Sequence, residues 1–283
     1  MTVLALCNHK GGTGKTTSAI HFAAALGLSG YRVLIVDLDP QSFLTRTLGV
    51  HEPDPEASSW ALFQHDVALR DIDIMSLRGF DLLPASSVLT KQLRRLNKPT
   101  DVLWVKETIE GADGYDVILI DTAAAITVYS LNALVAAGHV VIPVTPEYQP
   151  IVGAEQTYKT ASMVRTRLNP GLDLPLFLFT QVDARKRAHH RYRQYLRKRY
   201  SDQVIKNVIR TSAALATSYS DGTTVFENNP YSRGARDYAN ATDELVRLLG
   251  LAQPEPSEAA ADGEAEPPPP SIQPTPPIQP TQP

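Results

Sequence analysis

Nine residues near the start of the chain constrain its fold more than any other segment: His9-Lys-Gly-Gly-Thr-Gly-Lys-Thr-Thr17. They lie between an apolar run of strand length, Thr2-Val-Leu-Ala-Leu-Cys-Asn8, and a stretch from Ser18 to Ser29 with alanines and leucines at helical spacing. An unbroken apolar run of that length fits a strand buried on both faces, as in a parallel sheet. The glycines let the backbone curl so that its N–H groups converge on an anion. The helix that follows turns its positive dipole end toward the same point. Gly-Lys-Thr adds two side chains to this phosphate cradle: Lys15 to reach β- and γ-phosphates, and Thr16 to give its hydroxyl to Mg²⁺.

The rest of the chain repeats the strand-then-helix alternation. Arg32-Val-Leu-Ile-Val36 reads as a second buried strand ending at Asp37, and residues 51–59 as a loop. Further strands are predicted at 80–83, Val117–Ile120, Val140–Val144, Leu176–Phe179 and Val204–Ile209. Helices are predicted over 86–110 (broken before Pro99), 127–137, 151–168, 185–200 and 233–249. Such alternation implies an α/β fold of the P-loop NTPase kind, a mostly parallel twisted sheet with helices on both faces and right-handed crossovers.

Charge divides the chain unevenly. There are 27 Lys and Arg against 30 Asp and Glu, and 22 prolines. Five acids, no bases and eleven prolines fall between Pro254 and Pro283, so residues 1–250 carry 27 bases and 25 acids. We therefore expect a single folded domain over 1–250 and a disordered, acidic, Pro-rich tail over 251–283. The tail reads either as a solubilising segment or as a docking peptide. One cysteine excludes an internal disulfide or a cysteine metal cage. No apolar run approaches the roughly 20 residues of a membrane span, and the N-terminus lacks a secretory pattern, so a cytoplasmic protein is expected. Cys7 is expected in the core, Trp60 and Trp104 as packing residues, and the histidines show no ligand spacing.

Within the body, 184–200 holds eight bases and no acid: Arg185, Lys186, Arg187, Arg191, Arg193, Arg197, Lys198 and Arg199. Tyr192, Leu196 and Tyr200 fall at i, i+4 spacing, so one stripe can pack while the cations fan into solvent. Like signs cannot pair with one another along the helix. The run is either a solvated face or the footprint of a phosphate-backbone binder. Arg210, Arg233 and Arg236 are secondary candidates. Lys10 stands before the first glycine, where it is either a solvated lysine or a charge that reaches another subunit's nucleotide, as an arginine finger does in trans.

The loop, with its second lysine, resembles the deviant Walker A loop of the ParA/Soj/MinD ATPases, and of the ParA partition branch in particular. Val36-Asp-Leu-Asp-Pro-Gln41 resembles that family's switch I. Tyr115-Asp-Val-Ile-Leu-Ile-Asp-Thr122 resembles its Walker B strand. Val141–Tyr148 and Phe226–Ala235 resemble two further segments in order, so that the likeness covers about 2–249.

The resemblance implies a Mg²⁺-dependent ATPase that dimerises around ATP, binds DNA nonspecifically and partitions or positions a cargo over the nucleoid. A ParB-type or cargo-adaptor protein is expected to stimulate hydrolysis. It implies nucleotide binding by Lys10, Gly11, Gly12, Thr13, Gly14, Lys15, Thr16 and Thr17. Catalytic roles fall to Lys10 in trans, Lys15, and Asp39 as the residue that positions water. Metal ligation falls to Thr16 and Asp121, with Asp39 a further candidate. Asp39 and Asp121 are both expected at the ends of buried strands, and Asp37 has a less defined role. With no segment ahead of the P-loop strand and no amphipathic C-terminal helix, neither operator-specific repression nor a membrane partner is expected.

One departure stands out. Where the family has two prolines after Asp121-Thr122, this chain has Ala123-Ala124-Ala125, which predicts a more pliable, helix-prone switch II. That substitution motivates an alternative, a nucleotide-dependent DNA-binding module with little hydrolysis. An iron-protein-like reductase on the same fold is opposed by the single cysteine.

Overall fold

The apolar runs assemble into one seven-stranded sheet in the computed structural model, which describes residues 1–254. The strands are β1 (Thr2–Leu6), β2 (Val33–Asp37), β3 (Met75–Leu77), β4 (Phe80–Leu83), β5 (Val117–Asp121), β6 (His139–Val144) and β7 (Leu176–Phe179). Their order is β3-β4-β2-β5-β1-β6-β7. Every pairing is parallel except β3 with β4. From central β1 the chain crosses to one side for β2 to β5, then back past β1 for β6 and β7. Loops at the C-terminal ends of these strands meet at this reversal, where open α/β sheets bind ligands.

The helices are α1 (Lys15–Leu28), α2 (Phe43–Thr47), α3 (Val88–Gln92), α4 (Trp104–Ile109), α5 (Val128–Ala136), α6 (Tyr148–Arg167), α7 (Arg187–Tyr200), α8 (Ala213–Ser220), α9 (Val225–Asn228) and α10 (Arg233–Leu249). β1 feeds a core on each face of the sheet. Val3, Ala5 and Cys7 join α5 and α6, whereas Leu4 and Leu6 join α1 and α10. Alternate residues point to opposite faces, so a strand covered on both sides has no position left for a polar residue. Trp60 and Trp104 pack at the edge of the first core, as expected of packing residues.

Four sequence expectations change. Residues 204–209 do not form a strand; beside an isolated bridge of Val204 to Phe177, the Ile205 and Ile209 N–H groups bond the Phe177 and Phe179 carbonyls of β7 at 3.0 and 2.8 Å. The buried carboxylate of Glu244 takes the N–H groups of Lys206 and Asn207 at 2.7 and 2.8 Å, which withdraws them from any ladder. The predicted break before Pro99 is present in 86–110, with Lys98 extended, but the helices are shorter than predicted: α3 ends at Gln92 and α4 begins at Trp104. α6 begins at Tyr148, earlier than predicted, since Pro150 sits in the first turn, where no intrahelical N–H is needed. Edge strand β3 was not anticipated; three residues carry too little pattern, and the hairpin depends on Gly79 at φ +90°. Nearly all of the predicted Pro-rich tail, from residue 255 onward, lies outside the described residues. Among the described residues no helix is long and apolar enough to cross a membrane.

Candidate functional site

The phosphate loop leaves β1 and is tied down on three sides. Asn8 donates to the Pro143 carbonyl of β6 at 2.7 Å and accepts from the Lys10 N–H at 3.0 Å. The His9 N–H bonds Thr157 of α6 at 2.9 Å. From beyond β7, Thr180 Oγ1 donates to the Thr13 carbonyl and Gln181 Nε2 to the Gly12 carbonyl, both at 2.7 Å. Gly12 and Gly14 adopt φ of +73° and +82°, which a β-carbon would strain. Gly14 caps α1 without a side-chain bond, and the first turn holds no acid. The leading N–H groups of α1 therefore have no side-chain competitor for an anion.

Lys15 is buried, and its Nζ donates to the Lys10 carbonyl at 3.4 Å. Burial lowers its pKa, with the Asp121 charge acting in the opposite direction. The Thr16 hydroxyl donates to Asp121 Oδ2 at 2.7 Å. Asp121 Oδ1 is buried and has no hydrogen-bond partner among the described residues. Burial, and next the nearby Asp37 charge, push the Asp121 carboxyl up to about 8. A carboxylate this costly to ionise gains strongly from a cation beside it.

β2 ends at Asp37, so Asp39 lies in the following loop rather than at a buried strand end as the sequence suggested. Asp37 faces Asp121 in register and is fully buried. It accepts from the Asp39 N–H at 2.9 Å and from the Thr45 N–H and hydroxyl at 3.0 and 2.7 Å. Burial raises its pKa to about 6 against the Thr45 bond. Asp37 therefore anchors the loop and α2, while Asp39 is only half-buried, with Oδ1 on the Gln41 N–H at 2.9 Å. Ser42 in this loop holds φ +53°, a strained value for a non-glycine residue.

Lys10, Gly11 and Gly12 are exposed. The Lys10 ammonium has no acid partner among the described residues. A β-carbon on Gly153 would come 2.9 Å from Lys10 Cβ, so that glycine lets α6 press against the base of the lysine. A β-carbon on Gly11 would meet Ala124 at 3.8 Å, which puts the alanine run beside the loop. Ala123–Ala125 form a bend and not a helix. Thr127 and Ser130 cap α5 reciprocally, which starts the helix after the alanines in spite of their propensity.

The basic helix is sorted by its surroundings. Leu196 is buried and Tyr192 and Tyr200 half-buried, the predicted packing stripe. Acids from outside the run pair with three of the eight bases, which the reading of like signs along the helix did not foresee. Arg185 meets Asp183 at 2.9 Å, Lys186 meets Glu147 at 3.5 Å, and Arg199 meets Glu155 at 3.3 Å. Arg193 is half-buried, and burial, then the Arg197 charge, lowers its pKa. Arg197 donates to the Lys206 carbonyl at 3.2 Å. Arg187, Arg191 and Lys198 are exposed and have no acid partner among the described residues. Of the secondary candidates, Arg210 is engaged by buried Asp237, whereas Arg233 and Arg236 are exposed.

Sequence reasoning missed Thr180, Gln181, Glu147 and His21. His21 is buried in α1; its Nδ1 donates to the Thr17 carbonyl at 2.7 Å and its Nε2 accepts the Val225 N–H at 3.1 Å. Among the described residues no group of three or more His, Cys, Asp or Glu could hold a metal ion. Cys7 is buried as expected, and burial pushes its thiol up to about 11.

Comparison with known proteins bears on the same residues. A family model described as an AAA domain, AAA_31, matches residues 1–174. The chromosome-partitioning ATPase Soj of Thermus thermophilus is 37% identical over 243 residues, covering 86% of this chain and 94% of Soj. The sporulation initiation inhibitor protein Soj of Bacillus subtilis is 32% identical over 247 residues, covering 86% and 98%. Among solved structures, cobyrinic acid a,c-diamide synthase from Mycobacterium smegmatis, with bound ADP and magnesium, is similar at a TM-score of 0.72 and 31% identity, covering 90% of this chain and 98% of the synthase.

Proposed function

The chain belongs to the ParA/Soj-type partition ATPases of the ParA/MinD superfamily, and on that premise we propose that ATP closes a homodimer that binds DNA without sequence preference and positions a cargo over the nucleoid. It is an ATPase of the partitioning class. The observation that carries the reading is the junction of Thr16 and Asp121. One carboxylate oxygen takes the Thr16 hydroxyl, and the other is buried with no partner among the described residues, beside a glycine loop with uncapped N–H groups.

Those residues fit a magnesium nucleotide. Mg²⁺ takes one or two protein oxygens and completes its shell with phosphate oxygens and water, so no cluster of acids is required. Thr16 and Asp121 would hold it, directly or through water, with Asp39 a further candidate. The loop amides from Gly11 to Thr17 and the Lys15 ammonium would hold the phosphates. The bound ion supplies neutralisation of phosphate charge. Asp39, half-buried and with only Oδ1 engaged, is suited to orient the attacking water. Lys10, exposed and with no acid partner among the described residues, is suited to reach a second subunit's phosphates. Exposed Ile126 and Tyr148, 56% and 68% accessible, follow the alanine bend and open α6, as apolar residues on a dimer face would.

Arg187, Arg191 and Lys198 support DNA binding, because α7 shows them to solvent with no acid partner among the described residues. The partner that stimulates hydrolysis is read as a ParB-type or cargo-adaptor protein, acting in the cytoplasm on nucleoid-bound dimers. Residues 1–250 serve as the ATPase domain. DNA binding measured with ATP, with ADP and without nucleotide, at two salt concentrations, tests the scheme. Binding only with ATP, weakened by salt, is expected. Binding indifferent to nucleotide overturns it, and turnover that neither DNA nor adaptor raises points instead to a DNA-binding module with little hydrolysis.

A further inference from the structure

We infer that Gln181, together with Thr180, is a positioning residue that sets the phosphate loop and links it to the first turn of α7. Their side chains donate to two consecutive carbonyls of the loop, Gly12 and Thr13, each at 2.7 Å. No described peptide bond is cis. In a planar trans peptide the N–H lies opposite the C=O, so holding those carbonyls turns the N–H groups of Thr13 and Gly14 the other way. Both peptides adjoin glycines in the left-handed region, where rotation is otherwise cheap. The two donors therefore hold the cradle in its anion-binding form before any phosphate arrives.

Gln181 is itself held. It adopts φ +51°, costly for a residue with a β-carbon. Its neighbours enforce the conformation: Thr180 N–H bonds the Val144 carbonyl at 3.0 Å, and Val182 N–H the Ile209 carbonyl at 3.0 Å. The same short segment then roots the basic helix. The Asp183 N–H donates to His189 Nδ1 at 3.1 Å, and the Asp183 carboxylate holds Arg185. His189 is buried; its Nε2 and the Lys186 ammonium both lie 3.5 Å from Glu147 Oε1 at the start of α6. Anchors at 180, 181, 183, 186 and 189 leave the path from loop to helix little slack. Filling the loop and loading α7 then bias each other, and the bias is reciprocal. The coupling half of this inference rests on α7 being the DNA surface.

Gln181→Met keeps the length of the side chain and removes the donor. Measured on the full chain are affinity for a fluorescent ATP analogue with Mg²⁺, the ratio of DNA affinities with and without ATP, the KM and kcat for ATP, and the melting temperature without ligand. Nucleotide affinity should fall about five- to tenfold, the loss of one hydrogen bond. The DNA ratio should shrink by a similar factor, KM for ATP should rise with kcat held, and the ligand-free melting temperature should stay in place. Wild-type nucleotide affinity and DNA ratio overturn the inference. So does a lowered melting temperature with both retained, since Gln181 would then be a structural brace only. If the unsubstituted chain binds DNA equally with and without ATP, the partition reading and the coupling fall together, while the nucleotide measurement still decides whether Gln181 holds the loop.

Discussion

Neutralising the cations of α7 separates those that the fold has left free from those it has already used. The perturbation is a triple variant, Arg187→Gln, Arg191→Gln and Lys198→Gln, set against the singles Arg191→Gln and Arg199→Gln. The first three side chains are exposed and have no acid partner among the described residues. The Arg199 guanidinium lies 3.3 Å from Glu155 and 3.1 Å from the Tyr195 hydroxyl. Each phosphate contact steepens log K against log salt by about 0.9. Three cations on each of two protomers make six contacts, so the triple variant should flatten that slope by about 5. Six contacts also correspond to about a thousandfold loss of affinity between 50 and 200 mM salt, which the wild type should show and the variant should largely lack. Arg199→Gln should change the slope by less than about 0.5, because its charge is already matched. Fluorescence anisotropy with a short duplex, titrated with protein and ATP over a salt series, reads both quantities. If Arg199→Gln weakens DNA binding as much as Arg191→Gln, sorting by partner is wrong. If the triple variant keeps its slope, α7 is not the DNA surface.

Three further outcomes are expected. Asp39→Ala should bind ATP as the wild type does and lose turnover; an unchanged hydrolysis rate would remove Asp39 from the chemistry. Thr16→Val keeps the shape but removes the donor to Asp121 Oδ2, which should cost about 1–3 kcal/mol of ligand-free stability and weaken binding of magnesium nucleotide; chemical denaturation and nucleotide titration check the two effects. Burial lowers the His21 pKa from 6.5 to about 4. The folded state then binds fewer protons than the unfolded state between those values, so its stability is full above about 6.5 and falls, by on the order of 3 kcal/mol, as pH drops to about 4. His21→Gln, which retains a donor and an acceptor but does not titrate, should show a flatter stability profile over pH 7 to 4; an equally steep one would assign the loss to other groups.

What was legible in the chain was carried by local pattern. The loop from His9 to Thr17, the buried strands on either side of the sheet and the span of α7 each follow from apolar runs, glycines and spacing within a few residues. The places where the reading failed have non-local causes. Residues 204–209 have a strand's composition, yet Glu244, nearly forty residues on, takes two of their N–H groups. Asp37 and Asp39 are both plausible strand-end acids in sequence. Only packing shows that Asp37 is locked on Thr45 while Asp39 faces the loop.

By itself the sequence determined a parallel α/β sheet with a phosphate loop at its first strand, because backbone freedom at glycine and burial on two faces are properties of short segments. Tertiary structure alone decided how the site is wired. Thr16 reaches Asp121 across 105 positions, and Gln181 reaches the Gly12 carbonyl across 169. It also decided which cations of α7 remain free. The acids that match Lys186 and Arg199 are Glu147, just ahead of α6, and Glu155, within it. A charge depends on what lies within a few ångströms of it, and folding alone settles which distant residues those are.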